Sequence, residues 1–120
     1  MNFEHELLVR AKNLIFTKDG KSIRIYGVYA INSLKNATDP IDPSAKQFCS
    51  VGALRRILYE MTSQYPGRAH ELIKAHEAAK SRLLRNTKIY SSFDRIHSLN
   101  DSEQDTTLLR VWDISIKEAS

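Results

Sequence analysis

What this chain has little of narrows its chemistry first. Its 120 residues hold one cysteine, Cys49. A lone cysteine closes no internal disulfide, so the fold does not depend on oxidation and a reducing, cytoplasmic setting is expected. Paired metal-ligand spacing is missing as well. His70-Glu71 and His76-Glu77 each begin like the zinc-protease helix motif, but Lys74 and Lys80 stand where its second histidine belongs. No metal and no cofactor is expected on these patterns. No run approaches the ~20 apolar residues of a membrane-spanning helix. Residues 1–10 lack the basic start and apolar block of a secretory leader. Gly20-Lys21-Ser22 ends like a phosphate loop, yet Ile15 occupies the place of that loop's first glycine.

What is present is ordinary for one folded domain spanning residues 1–120: 42% hydrophobic and 27% charged residues. The net charge of +4 is unevenly placed. Residues 1–45 carry six basic and five acidic side chains, residues 46–97 ten and four, and residues 98–120 two and five. A basic middle steers anionic partners, or it is a set of solvated helix faces that the acidic tail partly neutralises.

Periodicity points to a mainly α fold, with α+β as the alternative: a bundle of about four helices with a short extended segment or hairpin near residues 22–31. Leu7, Leu8, Ala11, Leu14 and Ile15 share one helical face, and Asp19-Gly20 supplies the stop. Ile23, Ile25, Tyr26, Val28, Tyr29 and Ile31 favour an extended stretch, with Gly27 marking a bulge or a close backbone approach. Asp42-Pro43 reads as a cap followed by a first-turn proline. It opens a central helix over residues 43–62 in which Cys49, Gly52 and Ala53 form a small-residue strip. After Tyr65-Pro66-Gly67 a second long helix runs to about residue 85, its stripe being Ala69, Leu72, Ile73, His76, Ala79 and Leu83. Residues 86–99 fit either a short helix or a folded-over strand. Asp101 through Gln104 matches a capping box for the last helix, whose buried face is Leu108, Leu109, Val111, Trp112 and Ile116.

The run Asp42-Pro43 … Phe48-Cys49 … Gly52-Ala53-Leu54 resembles the aspartate-proline, aromatic-cysteine, glycine-alanine-leucine motif of a family of small bacterial and phage domains of unknown function. The aromatic stretch 25–30 and the Leu99-Asn100-Asp101 triplet ahead of the last helix follow the family's order of parts. Phe48 and Leu99 stand where that family carries tryptophan, and Asp105 where it tends to a basic residue. The resemblance implies a fold and a bacterial or phage habitat, and no activity.

Three kinds of chemistry are open. Cys49, near a helix start, is a possible reactive thiol with His70, His76, His97, Asn100 or Asp101 as helpers; the competing reading is a small packed residue beside Gly52 and Ala53. Arg55, Arg56 and the other basic residues of the middle, with Tyr90 and Phe93, are the nucleic-acid candidates, against a solvated surface. Tyr26 and Tyr29, three apart in an extended stretch, should fall on opposite faces and leave one exposed as a contact point. Asn100 and Asp101 are a further polar pair, for a ligand or for a turn and cap. The leading expectation is a non-catalytic binding protein that engages a host protein or a small anionic ligand, as counter-defence proteins do, through Tyr26, Tyr29, Arg55, Arg56, Asn100 and Asp101. Nucleic-acid binding and a Cys49-dependent enzyme are the alternatives.

Overall fold

Asn2 begins the first helix by accepting a hydrogen bond from the His5 amide at 3.1 Å, and Glu4 and Glu6 follow in the first turn, where the helix dipole favours them. In the computed structural model, which describes residues 1–120, this helix, α1, spans Phe3–Ile15 and buries Phe3, Leu7, Leu8, Ala11 and Ile15. A tight turn at Gly20 (φ +82°) reverses the chain, and Ser22 pairs with Phe16 in one antiparallel bridge.

Residues 23–29 then cross the molecule as an irregular arm. The strand β1 is only Ala30–Ile31. It pairs antiparallel with β2, Gln47–Phe48, in the register Ala30 to Phe48 and Ile31 to Gln47. The remaining elements are α2 (Ser50–Gln64), α3 (Ala69–Tyr90), α4 (Ile96–Asn100) and α5 (Asp105–Ala119). The fold is therefore mainly α, with five helices and one small antiparallel sheet. No helix is long and apolar enough to cross a membrane.

α1 and α3 each pack against both α2 and α5. One apolar cluster joins all four, with Leu54 and Met61 from α2, Leu72, Ala79 and Leu83 from α3, and Leu108, Val111 and Trp112 from α5. The centre thus belongs to α1 and α3, and the expectation of α2 as the central helix is corrected: Arg55 and Tyr59 face solvent along its outer side. On α3, Ile73 likewise falls off the buried stripe and is 52% exposed.

Two expected helix starts move, because the aspartate that would cap each of them bonds elsewhere. The Asp42 carboxylate accepts from the Ser44 amide at 2.8 Å and from its hydroxyl. That forms a turn, and residues 46–48 then pair with β1 before any helix begins. α2 starts seven residues later than Pro43, capped by Cys49, whose Sγ accepts from the Gly52 amide at 3.3 Å. Likewise Asp101 ends α4 and does not start α5, which begins at Asp105 without a side-chain cap. The Asp101 carboxylate turns back to the arm. The ambiguous stretch resolves into the last turn of α3, a short link, and α4.

Candidate functional site

The arm over residues 23–29 has no ladder of its own, so side chains hold it in place. Arg24 is its anchor. The guanidinium is fully buried and donates from Nε to the Asn100 carbonyl at 2.7 Å and from Nη2 to the Ser102 carbonyl at 2.7 Å. Nη1 reaches the Ser22 hydroxyl and the Asp105 carboxylate. Four of its five N–H donors are thereby engaged, one of them by a carboxylate, which makes so buried a charge tolerable.

Asn100, also buried, joins three segments. Its Oδ1 accepts from the Ser50 amide at 2.9 Å and the Ser50 hydroxyl at 2.8 Å, at the start of α2. Its Nδ2 donates to the Ile25 carbonyl at 2.9 Å in the arm and to Asp101 Oδ1 at 3.0 Å. Asp101 Oδ1 in turn accepts from the Gly27 amide at 3.2 Å. Gly27 sits at φ +77°, a conformation that glycine adopts without steric cost.

On its other side the arm lies against the first turn of α2. The Cys49 amide donates to the Tyr29 carbonyl at 3.1 Å. A Cβ on Gly52 would stand 2.0 Å from that same carbonyl oxygen. The small-residue strip read from the sequence therefore exists to admit the Tyr29 backbone.

These contacts enclose a cavity of about 260 Å³ lined by Gly27, Val28, Tyr29, Cys49, His97 and Asp101. Cys49 is its floor, only 2% exposed; Tyr29, His97 and Asp101 are exposed around it. The Tyr29 and His97 rings meet edge to face, centroids 5.5 Å apart. They also wall a wider neighbouring groove of about 650 Å³ that includes Val51, Glu77, Lys80, Leu84, Asp94 and Arg95.

The thiol, the imidazole and the carboxylate converge on one cavity, as a thiol-dependent site would need, but the sulfur is poorly prepared for attack. Burial pushes the Cys49 thiol above its ordinary value, and the Asp101 charge adds to that shift. Hydrogen bonds from the Gly52 and Val51 amides oppose it and lose. The amides that would stabilise an oxyanion are already engaged: Cys49 with Tyr29, Ser50 with Asn100, and Gly52 with the sulfur itself. No group of three histidine, cysteine or acidic side chains is close enough to hold a metal ion.

The residues nominated from sequence are divided by the fold. Tyr29, Asp101 and Cys49 line the cavity, and Asn100 lies buried beneath it. Tyr26 stands beside it on the arm, with the Arg24 guanidinium 5.0 Å from its ring centre. The expectation that one of the two tyrosines is buried is corrected: they are 52% and 49% exposed, because the positive φ at Gly27 interrupts strand alternation. Arg55 and Arg56 lie elsewhere. Arg56 donates to the carbonyls of Pro40 and Asp42 and to Glu60, holding the loop before β2, and Arg55 faces Asp39 at 4.0 Å.

Much of the basic middle is engaged internally. Arg68 pairs with Glu71, Lys80 with Glu77, Arg82 with Glu4, and both Arg82 and Arg85 with Glu118 of the acidic tail. The sequence offers His97 only as one helper among several, and Arg24 and Ser50 belong to none of its candidate sites. A charge inside the apolar stretch Ile23-Arg24-Ile25 was the available signal for Arg24; Ser50 carried none. Comparison with family models, with curated proteins and with solved structures returns no match for this chain.

Proposed function

We propose that this chain is a non-catalytic binding protein of bacterial or phage origin, acting in the cytoplasm, and that it engages a host protein through the arm and the cavity beside it. The observation that carries this reading is the arm itself. Ile23, Tyr26, Val28 and Tyr29 are 39–52% exposed on one short segment, while Arg24 and Asn100 fix that segment from below. Exposed aromatic side chains on a rigid backbone lose little freedom on binding, which suits a recognition surface. Loose, singly scattered apolar residues would not. A host protein is favoured over a small anion because Arg55 and Arg56, the cations suggested for an anion, lie outside the cavity.

The test is affinity capture from a host lysate with the wild-type chain and with a Tyr26→Ala/Tyr29→Ala variant shown to be folded. The reading expects a protein enriched by the wild type and lost with the variant. Equal capture by both, or no capture by either, would sink it.

One observation favours a second reading, a thiol enzyme: Cys49, His97 and Asp101 line the same cavity. It requires the folded thiol to be reactive at neutral pH, against the burial and the committed amides described above. Nucleic-acid binding is the weaker alternative, since six of the ten basic residues of the middle already face carboxylates.

A further inference from the structure

The cavity holds a fixed negative charge that the chain leaves without a cation. Asp101 uses one carboxylate oxygen, Oδ1, for Gly27 and Asn100. No basic side chain lies within ion-pair distance of the carboxylate, and its other oxygen has no partner. Arg24, fixed in the same network, has its donors committed to Asn100, Ser102, Ser22 and Asp105. Against this carboxylate stand two exposed rings, Tyr29 and His97, held at 62° to each other.

An aromatic face attracts a cation through its quadrupole, and a carboxylate accepts its N–H groups. The two together, in a concavity of about 260 Å³, suit a planar cation that stacks on the ring and donates at its edge. A guanidinium is planar, weakly hydrated and rich in donors, so it meets both demands better than an ammonium. An anion entering the cavity would meet Asp101. Beyond the Tyr29–His97 wall, Lys80 and Arg95 are matched by Glu77 and Asp94, so the groove offers an anion no net attraction.

We infer that the cavity bounded by Tyr29, His97 and Asp101 receives a guanidinium group, supplied as an arginine side chain by a protein partner. The source of that arginine, though not the chemistry of the site, rests on the protein-binding reading above.

The test is an NMR titration of the labelled full chain with Nα-acetyl-arginine methylamide. Its neutral isostere Nα-acetyl-citrulline methylamide and the free metabolite agmatine are run beside it. Saturable shifts at Gly27, Val28, Tyr29, His97 and Asp101 are expected with the arginine probe, and about tenfold weaker binding with citrulline. Asp101→Asn keeps an acceptor for Gly27 and should weaken the arginine probe by about tenfold while signals elsewhere stay in place. Tyr29→Leu should weaken it too, by removing the ring and keeping an apolar side chain.

No saturable response to the arginine probe, or equal responses to arginine and citrulline, would overturn the site. Agmatine binding tenfold tighter than the blocked arginine would overturn the protein source alone. A partner captured through Tyr26 and Tyr29 yet indifferent to Asp101→Asn overturns the cavity assignment and leaves the protein-binding reading standing. Arginine-probe binding with no such partner supports the chemistry and overturns that source.

Discussion

The region around Trp112 and the region around Asn100 are equally buried and are built on different physics. Trp112 lies with Leu7, Leu8, Leu108 and Val111 in the apolar cluster, and its indole N–H has no partner at all. Asn100, at the end of α4, lies between the arm and the start of α2, and both ends of its amide are hydrogen-bonded. In the first region volume is what a substitution changes. In the second it is the number of polar groups left without a partner. The core can therefore be read as a helical scaffold of interchangeable apolar shapes, and the site as a network in which identity matters.

Substitutions at the two regions should separate these costs. Trp112→Ala should lose about 4 kcal/mol in denaturant unfolding, chiefly as cavity. Trp112→Phe should lose much less, because it removes an unpaired donor along with the volume. Asn100→Ala removes a small side chain, yet should cost about 3 kcal/mol, because the Ser50 amide and the Ile25 carbonyl are left buried and unpaired. Hydrogen exchange should show that loss concentrated in the arm and the start of α2, whereas Trp112→Ala should weaken all four core helices. A uniform response to both substitutions would erase the distinction.

Gly52→Ala tests the seam between scaffold and arm. Its Cβ would meet backbone, which cannot swing aside as a side-chain tip can, so about 2 kcal/mol should be lost and the Tyr29 and His97 signals should shift. Cys49 sharpens the comparison further. As a helix cap it should tolerate serine, which keeps an acceptor for the Gly52 amide, better than alanine, which costs about 1 kcal/mol. Equal effects of the two would mean that the sulfur only fills space.

The smallest effect is one of pH. His76 is half-buried on α3, and burial, aided by Lys80 and Arg55 against Glu77, lowers its pKa from the usual 6.5. A depressed histidine contributes stability above its unfolded value and loses it as pH falls toward the folded value. Stability should therefore decline below about pH 6.5, and His76→Leu should flatten that decline. Cys49 runs the other way: its raised pKa means stability is lost as pH climbs past the unfolded thiol's value of 9.0.

The same division explains what the sequence disclosed. α1, α3 and α5 were legible because apolar residues repeat at three and four positions, and that periodicity reflects the burial that folds them. The start of α2 was not legible. Asp42-Pro43 carries every local mark of a helix N-terminus, and the competing turn wins because residues 47–48 find strand partners at 30–31, a contact no local pattern records. Asp101 misled in the same manner: a capping-box match scores spacing alone, while its carboxylate bonds an amide 74 residues away. Of the cavity, Cys49, Tyr29 and Asp101 stood out by residue type. That they meet at one place depends on Arg24, Ser50 and Gly52, which act through long-range contacts.

Binding and catalysis part at the Cys49 sulfur, which either caps a helix or performs chemistry. The direct measurement is the rate of Cys49 alkylation by iodoacetamide at pH 7, folded and in denaturant. A cap predicts a folded thiol at least about tenfold slower than the unfolded one, because the reactive species is the thiolate and burial suppresses it. A folded thiol that reacts faster than the unfolded chain, and loses that advantage in His97→Ala, would contradict the binding reading and make Cys49 a nucleophile.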